Sequence, residues 1–239
     1  MRQRSHARGR PGLGVDAVIV AGGSSERFGG TNKLLVPLGG ISILARSTRA
    51  IAAANTIERI VLVGAEASLP DLEHAARQGI ELAGRRLQLV TVCGGRRRRD
   101  SVEAGLAAAS TALVAIHDAA RPLVDAGLVE RVIAAADLDR GAIVAVRVTD
   151  TIKEVRDGVI TGHPDRATLW AAQTPQVVPR EGWLRGAALD DSDATDDAEM
   201  LSRAGIACTI VEGDGQNIKI THPADLAVAE AMLEREAGR

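Results

Sequence analysis

Two hydrophobic rhythms alternate along the chain. Val15–Ala21 (VDAVIVA), Arg59–Val63 (RIVLV), Leu87–Val92, Ala112–Ile116 (ALVAI) and Gly141–Val148 (GAIVAVRV) are short apolar runs rich in Val and Ile. Such runs mark strands buried on both faces of a sheet. Between them the apolar positions recur at helical spacing. Ser42 opens a helix to about Ala54 with Ile43, Leu44, Ser47 and Ile51 on one face. Further helices are expected from about Asp71 to Leu82, from an Asp100 cap to Ala109, and from Pro122 and Asp125 to Ala136. Strand, helix, strand with short connections predicts an α/β fold, a mostly parallel twisted sheet with helices on both faces.

The rhythm breaks at Thr149. Thr151–Val155 and Val159–Thr161 flank Asp157-Gly158, a hairpin turn signal. A lone two-stranded hairpin is only marginally stable in water, so this arm, over about residues 149–169, is expected to pack on something such as a second subunit. The chain returns with Trp170–Val178, a helical segment at Thr195-Asp196, strands at Cys208–Val211 and Asn217–Ile220, and a Pro223-started helix to about Glu236. The expected organisation is a disordered tail over residues 1–14, then one domain over residues 15–237 that carries the arm.

Composition narrows the function classes. Of 239 residues, 46% are hydrophobic and 25% charged, which excludes a disordered chain. The net charge of -2 argues against nucleic acid as a partner, and three aromatic residues, Phe28, Trp170 and Trp183, make no base-stacking platform. No apolar run approaches the ~20 residues that span a membrane, and Met1–Gly14 lacks the apolar core of a secretory signal. Two distant cysteines, Cys93 and Cys208, fit bland thiols in a reducing cytoplasm. Only three cations are lysines, Lys33, Lys153 and Lys219, which draws attention to each.

In such a sheet, ligands sit beyond the carboxyl ends of the strands. After the first strand comes Ala21-Gly22-Gly23, followed by Arg27 and Lys33. Glycines allow backbone N–H groups close to phosphate oxygens, and the cations add charge-assisted bonds. The loop is neither G-x-G-x-x-G nor a Walker motif, and a plain glycine turn is the alternative. After the third strand, Gly94-Gly95 offers backbone groups able to read a base edge, Ser101 adds a hydroxyl, and most of Arg96–Arg99 read as a solvated basic loop. After the fourth, Asp118 stands where a carboxylate would engage Mg²⁺, or else cap a helix or pair with Arg121, while His117 reads as a packed residue. Lys219 lies in the final strand, either at a phosphate or facing solvent. The D-x-D pairs Asp137/Asp139 and Asp191/Asp193 read as solvated acids.

Taken together and in order, these segments resemble the 2-C-methyl-D-erythritol 4-phosphate cytidylyltransferases of the non-mevalonate isoprenoid pathway. The landmarks are Ala21-Gly22-Gly23 with Arg27 and Lys33, Gly94-Gly95 through Asp100-Ser101-Val102, and His117–Pro122. Asp150–Lys153, Asp165-Arg166 with Leu169-Trp170, Gln173–Gln176, Thr195-Asp196 and Asn217–Thr221 complete them. The resemblance implies the Rossmann-like nucleotidyltransferase fold of GT-A type and a homodimer joined through the arm. It implies CMP transfer from CTP, with Mg²⁺, to methylerythritol phosphate. It places Arg27, Lys33, Arg166 and Lys219 in catalysis. It puts Ala21, Gly22, Gly23, Gly94, Gly95, Ser101, Asp118 and Ala119 at CTP, with Asp118 also at the metal. Arg121, Thr151, Thr174 and Thr195 fall at the acceptor, with Thr151 and Arg166 reaching into the partner's site. Arg96 stands where that family often has an acid, Ser25 where it often has Gly, and Asn32 where it often has Pro; Leu34-Leu35 replaces a polar-aromatic pair. A ribitol 5-phosphate cytidylyltransferase shares most landmarks, and a non-catalytic nucleotide-binding module is the other alternative. A glycosyltransferase is disfavoured by the poorly placed D-x-D pairs.

Overall fold

The computed structural model describes residues 14–23, 28 and 32–237. A central strand β1 (Val15–Val20) is flanked in parallel by β4 (Ile57–Gly64) and β6 (Leu113–Asp118), with β5 (Gln88–Cys93) beyond β4. A small hairpin, β2 (Pro37–Leu38) with β3 (Ile41–Ser42), precedes helix α1 (Ile43–Ala52). Beyond β6 the sheet continues with β10 (Trp170–Pro179), antiparallel to both neighbours, then β7 (Gly141–Arg147) and β11 (Cys208–Glu212). The order is β11-β7-β10-β6-β1-β4-β5, a mostly parallel seven-stranded sheet.

Helices cover both faces because the strands are apolar on both. Along β1, Ala17 and Ile19 join one cluster and Val18 the other, as a period of two requires. The first cluster takes residues from α1, α2 (Leu69–Leu82), α4 (Ala126–Ala134) and α7 (Pro223–Ala237). The second takes Val102 and Leu106 of α3 (Arg98–Ala108), Trp183 of α5 (Arg180–Leu189), and Met200 and Leu201 of α6 (Asp197–Arg203). Register then fixes the functional edge: Val20 pairs with Val63 and Asp118, and Gly64 with Cys93. The loops after β1, β5 and β6 therefore leave the sheet side by side.

The hairpin forms around the expected turn, though its first strand begins at Glu154 rather than Thr151. β8 (Glu154–Arg156) and β9 (Val159–Gly162) pair around Asp157 and Gly158, whose φ values of 50° and 79° are those of a primed hairpin turn. Three further expectations are corrected. Asp100 is not the cap of α3 but its third residue; Arg97 occupies the cap, and Asp100 reaches back to the Arg97 N–H at 3.1 Å. Helix α5, which no periodic signal marked, follows β10 directly. Asn217–Ile220 forms no strand. Its backbone bonds to turns and loops instead of a strand, with Asn217 N–H donating to Asp214 O in a local turn and Ile220 N–H to Ala120 O in the loop after β6. The expected 1–14 tail falls almost wholly outside the described residues.

Candidate active site

Two cavities open at this edge of the sheet. The larger, about 350 Å³, lies between the loop after β1 and the start of α3. The smaller, about 130 Å³, lies between β10, the start of α6 and the 217–220 segment. Arg98, Asp118 and Lys219 line both. In the larger cavity five cations, Lys33, Arg96, Arg97, Arg98 and Lys219, face one acid, Asp118. An excess of that kind selects a polyanion.

Of the expected nucleotide contacts, Ala21, Gly22, Gly23, Lys33, Gly95 and Ser101 line the larger cavity. Arg27 lies outside the described residues. Lys33 Nζ donates to Ile220 O at 2.8 Å, which ties the first loop to the segment carrying Lys219. The N–H groups of Ala21, Gly94 and Ala119 donate to Val63 O, Gly64 O and Val20 O, extending the sheet ladder. Those three donors are committed, and Gly94 and Ala119 line neither cavity. A β-carbon on Gly94 would lie 2.7 Å from Ser101 Oγ, and one on Gly95 2.3 Å from Asp100 Cβ. Glycine at both positions lets the loop press against the first turn of α3. Ser101 Oγ accepts from Gly95 N–H at 3.2 Å, holding that loop in place.

Asp118 is buried at the end of β6. Its Oδ2 accepts from Lys219 Nζ at 2.7 Å and its Oδ1 from Arg98 Nε at 3.3 Å. Burial works against its charge, but Arg98 and Lys219 outweigh burial, and its pKa falls below the usual carboxylate range. Lys219 therefore faces this acid from an irregular segment rather than from a solvent-facing strand. Arg98 in turn donates through Nη2 to Asp197 Oδ2 at 2.7 Å, and Asp197 Oδ1 accepts from Trp183 Nε1 at 3.0 Å. Burial pushes the Asp197 pKa up, with Arg98 and Trp183 opposing it.

The four-arginine run is thus not the solvated loop its composition suggests. Arg97 binds Asp100 and Asp191, and Arg98 bridges Asp118 and Asp197. Arg99, 5% exposed, donates to the carbonyls of Ala187, Asp190 and Ser192. Asp191 is exposed yet paired to Arg97, so that D-x-D is part of a clasp. Sequence reasoning missed Arg98, Asp197 and Gln176. The available signal was helical phase. Arg98 lies three residues before Ser101 and four before the buried Val102, which puts it on the inward face of α3.

On the acceptor side, Arg121, Thr174 and Thr195 line the smaller cavity. Arg121 donates to Asn217 O at 2.8 Å, and its buried Nε has no partner among the described residues. Thr195 is set by Glu199, which accepts from its hydroxyl and its N–H. Thr174 Oγ1 accepts from Asp118 N–H at 3.0 Å and contacts His117 Nδ1 at 3.0 Å. His117 Nε2 meets the Arg121 carbonyl at 3.2 Å, and a carbonyl only accepts, so Nε2 carries the proton. Nδ1 then accepts from the Thr174 hydroxyl. Burial holds this neutral imidazole at a pKa of about 4. Thr151 and Arg166 sit on the arm, exposed, and line neither cavity. Arg166 donates there to Thr149 O at 2.6 Å. The described residues hold no cluster of three or more His, Cys, Asp or Glu able to enclose a metal.

Known proteins are similar to this chain in sequence and in fold. The family model for 2-C-methyl-D-erythritol 4-phosphate cytidylyltransferase (IspD) matches residues 15–235. The Synechococcus elongatus protein of that name is 42% identical over 91% of this chain and 95% of its own length. A bifunctional IspD/IspF enzyme of Anaeromyxobacter dehalogenans is 41% identical over 92% of this chain, which spans 57% of that longer protein. The crystal structure of the Thermus thermophilus 2-C-methyl-D-erythritol 4-phosphate cytidylyltransferase superimposes with a TM-score of 0.74 and 29% identity, covering 93% of this chain and 100% of that one. The paired cavities, the sheet that builds them and these matches agree: the chain belongs to the 2-C-methyl-D-erythritol 4-phosphate cytidylyltransferase family.

Proposed function

We propose that this chain transfers the cytidylyl group of CTP to 2-C-methyl-D-erythritol 4-phosphate, giving 4-CDP-2-C-methyl-D-erythritol and pyrophosphate. The observation that carries it is the strongly cationic larger cavity joined to a second cavity through Arg98, Asp118 and Lys219. Two polyanions must meet in this reaction, and the cations lie where they would meet. The acceptor phosphate is largely dianionic at neutral pH, its second pKa being about 6. It is already a nucleophile, so no general base is required. One of its oxygens bonds to the α-phosphorus of CTP as the bond to the β-phosphate oxygen breaks, and pyrophosphate leaves with that electron pair. The protein's contribution is in-line placement and charge stabilisation.

Arg27, Lys33, Lys219 and Arg166 supply the charge, the last from a second subunit. Ala21, Gly22, Gly23, Gly95 and Ser101 shape the nucleotide side, with Gly94 and Ala119 behind them. Arg121, Thr174, Thr195 and the partner's Thr151 face the acceptor. Mg²⁺ fits the donor chemistry: Asp118 is the one carboxylate lining both cavities, and an ion held by one carboxylate completes its shell with phosphates and water. When bound, it neutralises phosphate charge.

Homodimerisation through the arm is supported by Val155, Val159 and Ile160, which are more than half exposed on an isolated hairpin. A cytoplasmic location is supported by two unpaired cysteines; among the described residues no helix is long and apolar enough to cross a membrane.

The test mixes protein, CTP, Mg²⁺ and methylerythritol 4-phosphate and follows pyrophosphate, with ribitol 5-phosphate in parallel. Release with the first acceptor alone supports the reading. Release with ribitol 5-phosphate alone moves the chain to the sister activity, and CTP binding without release makes it a binding module. Sedimentation of the unmodified chain and of Val159→Asp tests the dimer: the variant should shift to monomer.

A further inference from the structure

Arg98 is the one cation at the junction that neither the glycine loops nor the acidic landmarks single out. Its side chain is 26% exposed and lines both cavities. Two of its three nitrogens are fixed, Nε on Asp118 and Nη2 on Asp197. Asp197 is itself clamped, its carboxylate on Trp183 Nε1 and its N–H on Gln176 Oε1 at 2.9 Å. Nη1 makes no hydrogen bond to any described residue. A guanidinium is planar, so two anchored corners dictate where the third points. Stability gives a weak reason for the arrangement, because a buried ion pair adds little over apolar residues of similar volume.

We propose that Arg98 is a further catalytic residue of the cytidylyl transfer, its Nη1 donating to a non-bridging oxygen of the phosphoryl group in transit between the two cavities. The inference rests on the cytidylyltransferase reading. As the acceptor oxygen bonds to the α-phosphorus and pyrophosphate departs, charge grows on the equatorial oxygens. A donor braced beforehand by two buried acids stabilises that charge without reorganising. Lys33 serves the triphosphate from the first loop. Arg98 serves the atom where the two substrates join.

The experiment compares the unmodified chain with Arg98→Lys and with Arg98→Met/Asp197→Asn, which removes the charge of both members of the buried pair. Each is checked by thermal melt, then assayed for pyrophosphate release from CTP and from the two diastereomers of its α-thio analogue. In the variants kcat should fall ~10²-fold or more, with KM for CTP changed far less. Discrimination between the diastereomers should shrink, because sulfur would replace the oxygen that Arg98 contacts. A kcat within about threefold of the unmodified chain in either folded variant would overturn the proposal. Lowered kcat with unchanged diastereomer discrimination would reduce Arg98 to a positioning residue, and loss of folding in both variants would make the bridge structural. Failure of the unmodified chain to release pyrophosphate would instead sink the underlying reading.

Discussion

The two cavities are built by opposite means. The larger takes two consecutive stretches of loop residues, Ala21–Gly23 and Gly95–Arg97, each loop leaving a parallel strand at the same edge. The smaller is assembled from β6 and the loop after it, β10, the start of α3, the residues just before α6 and the 217–220 segment, and its polar groups are braced by hydrogen bonds to their neighbours. Arg121 is anchored on Asn217, Thr195 on Glu199, and Thr174 between Asp118 and His117. One site is a glycine-lined opening with surplus charge, suited to a large flexible polyanion. The other is a cross-braced pocket suited to a small acceptor whose hydroxyls must be placed. Removing a group from the first should cost charge stabilisation; removing one from the second should also disturb its neighbours.

The strongest break in that comparison is Lys33→Ala. On the proposed reading it should lower pyrophosphate release ~10²–10³-fold. Near-normal turnover would remove Lys33 from the chemistry. Arg99→Met should act on stability instead, which falls by about 3 kcal/mol in urea titration because three carbonyls lose a buried cationic donor. Asp191→Asn, on the exposed side of the same clasp, should leave the urea midpoint essentially in place. If the two variants behaved alike, the clasp would not hold the loop that precedes Thr195.

That contrast explains what could be read from the sequence. The parallel strands, the arm with its Asp157-Gly158 turn and the loops after β1, β5 and β6 are local in sequence, and hydrophobic period and turn chemistry reveal them. The smaller cavity is not local. Asp197 meets Arg98 across 99 residues and Lys219 meets Asp118 across 101. No spacing rule brings such residues together. Asn217–Ile220 misleads for the same reason: its alternation suggests a strand, but its hydrogen bonds go to loops. Arg99 misleads by composition, since one arginine of four in a row is buried on carbonyls at and just beyond the end of α5, a helix unseen in the sequence.

Cross-bracing also predicts a pH effect confined to the second region. His117 is neutral in the fold, with a pKa of about 4 against 6.5 in the unfolded chain. A depressed value means that the unfolded state takes the proton first. Its contribution to stability is therefore full above pH 6.5 and is lost as pH falls towards 4. Between pH 7 and pH 5 the loss is about 2 kcal/mol. Asp197, raised by burial, acts in the opposite sense as it ionises with rising pH, so the measurement must be a difference. His117→Gln keeps a donor for the Arg121 carbonyl and an acceptor for the Thr174 hydroxyl without titrating. It should flatten the pH dependence of urea stability by that amount. An unchanged slope would mean that His117 is not the group that charges.

The sharpest separation of the two cavities comes from a residue in neither. Arg166 lies on the arm, its guanidinium on Thr149 O, and lines neither of the two cavities of its own subunit. If the arm carries it to a partner's acceptor pocket, Arg166→Ala should raise KM for methylerythritol phosphate about tenfold, the worth of ~1.4 kcal/mol in a charge-assisted bond. CTP binding, measured by calorimetry without acceptor, should not change, because on the proposed reading Arg166 serves the acceptor pocket and not the nucleotide cavity. Mixing Arg166→Ala with a Thr174→Val chain, damaged in its own acceptor pocket, then sets geography against arithmetic. Arg166 acting across the dimer leaves each mixed dimer one pocket with both defects and one with neither. Arg166 acting within its own subunit leaves two singly damaged pockets and no recovery. Recovery on mixing would therefore place Arg166 in trans. Equal loss of CTP and acceptor binding in the single variant would instead assign Arg166 to the fold of the arm.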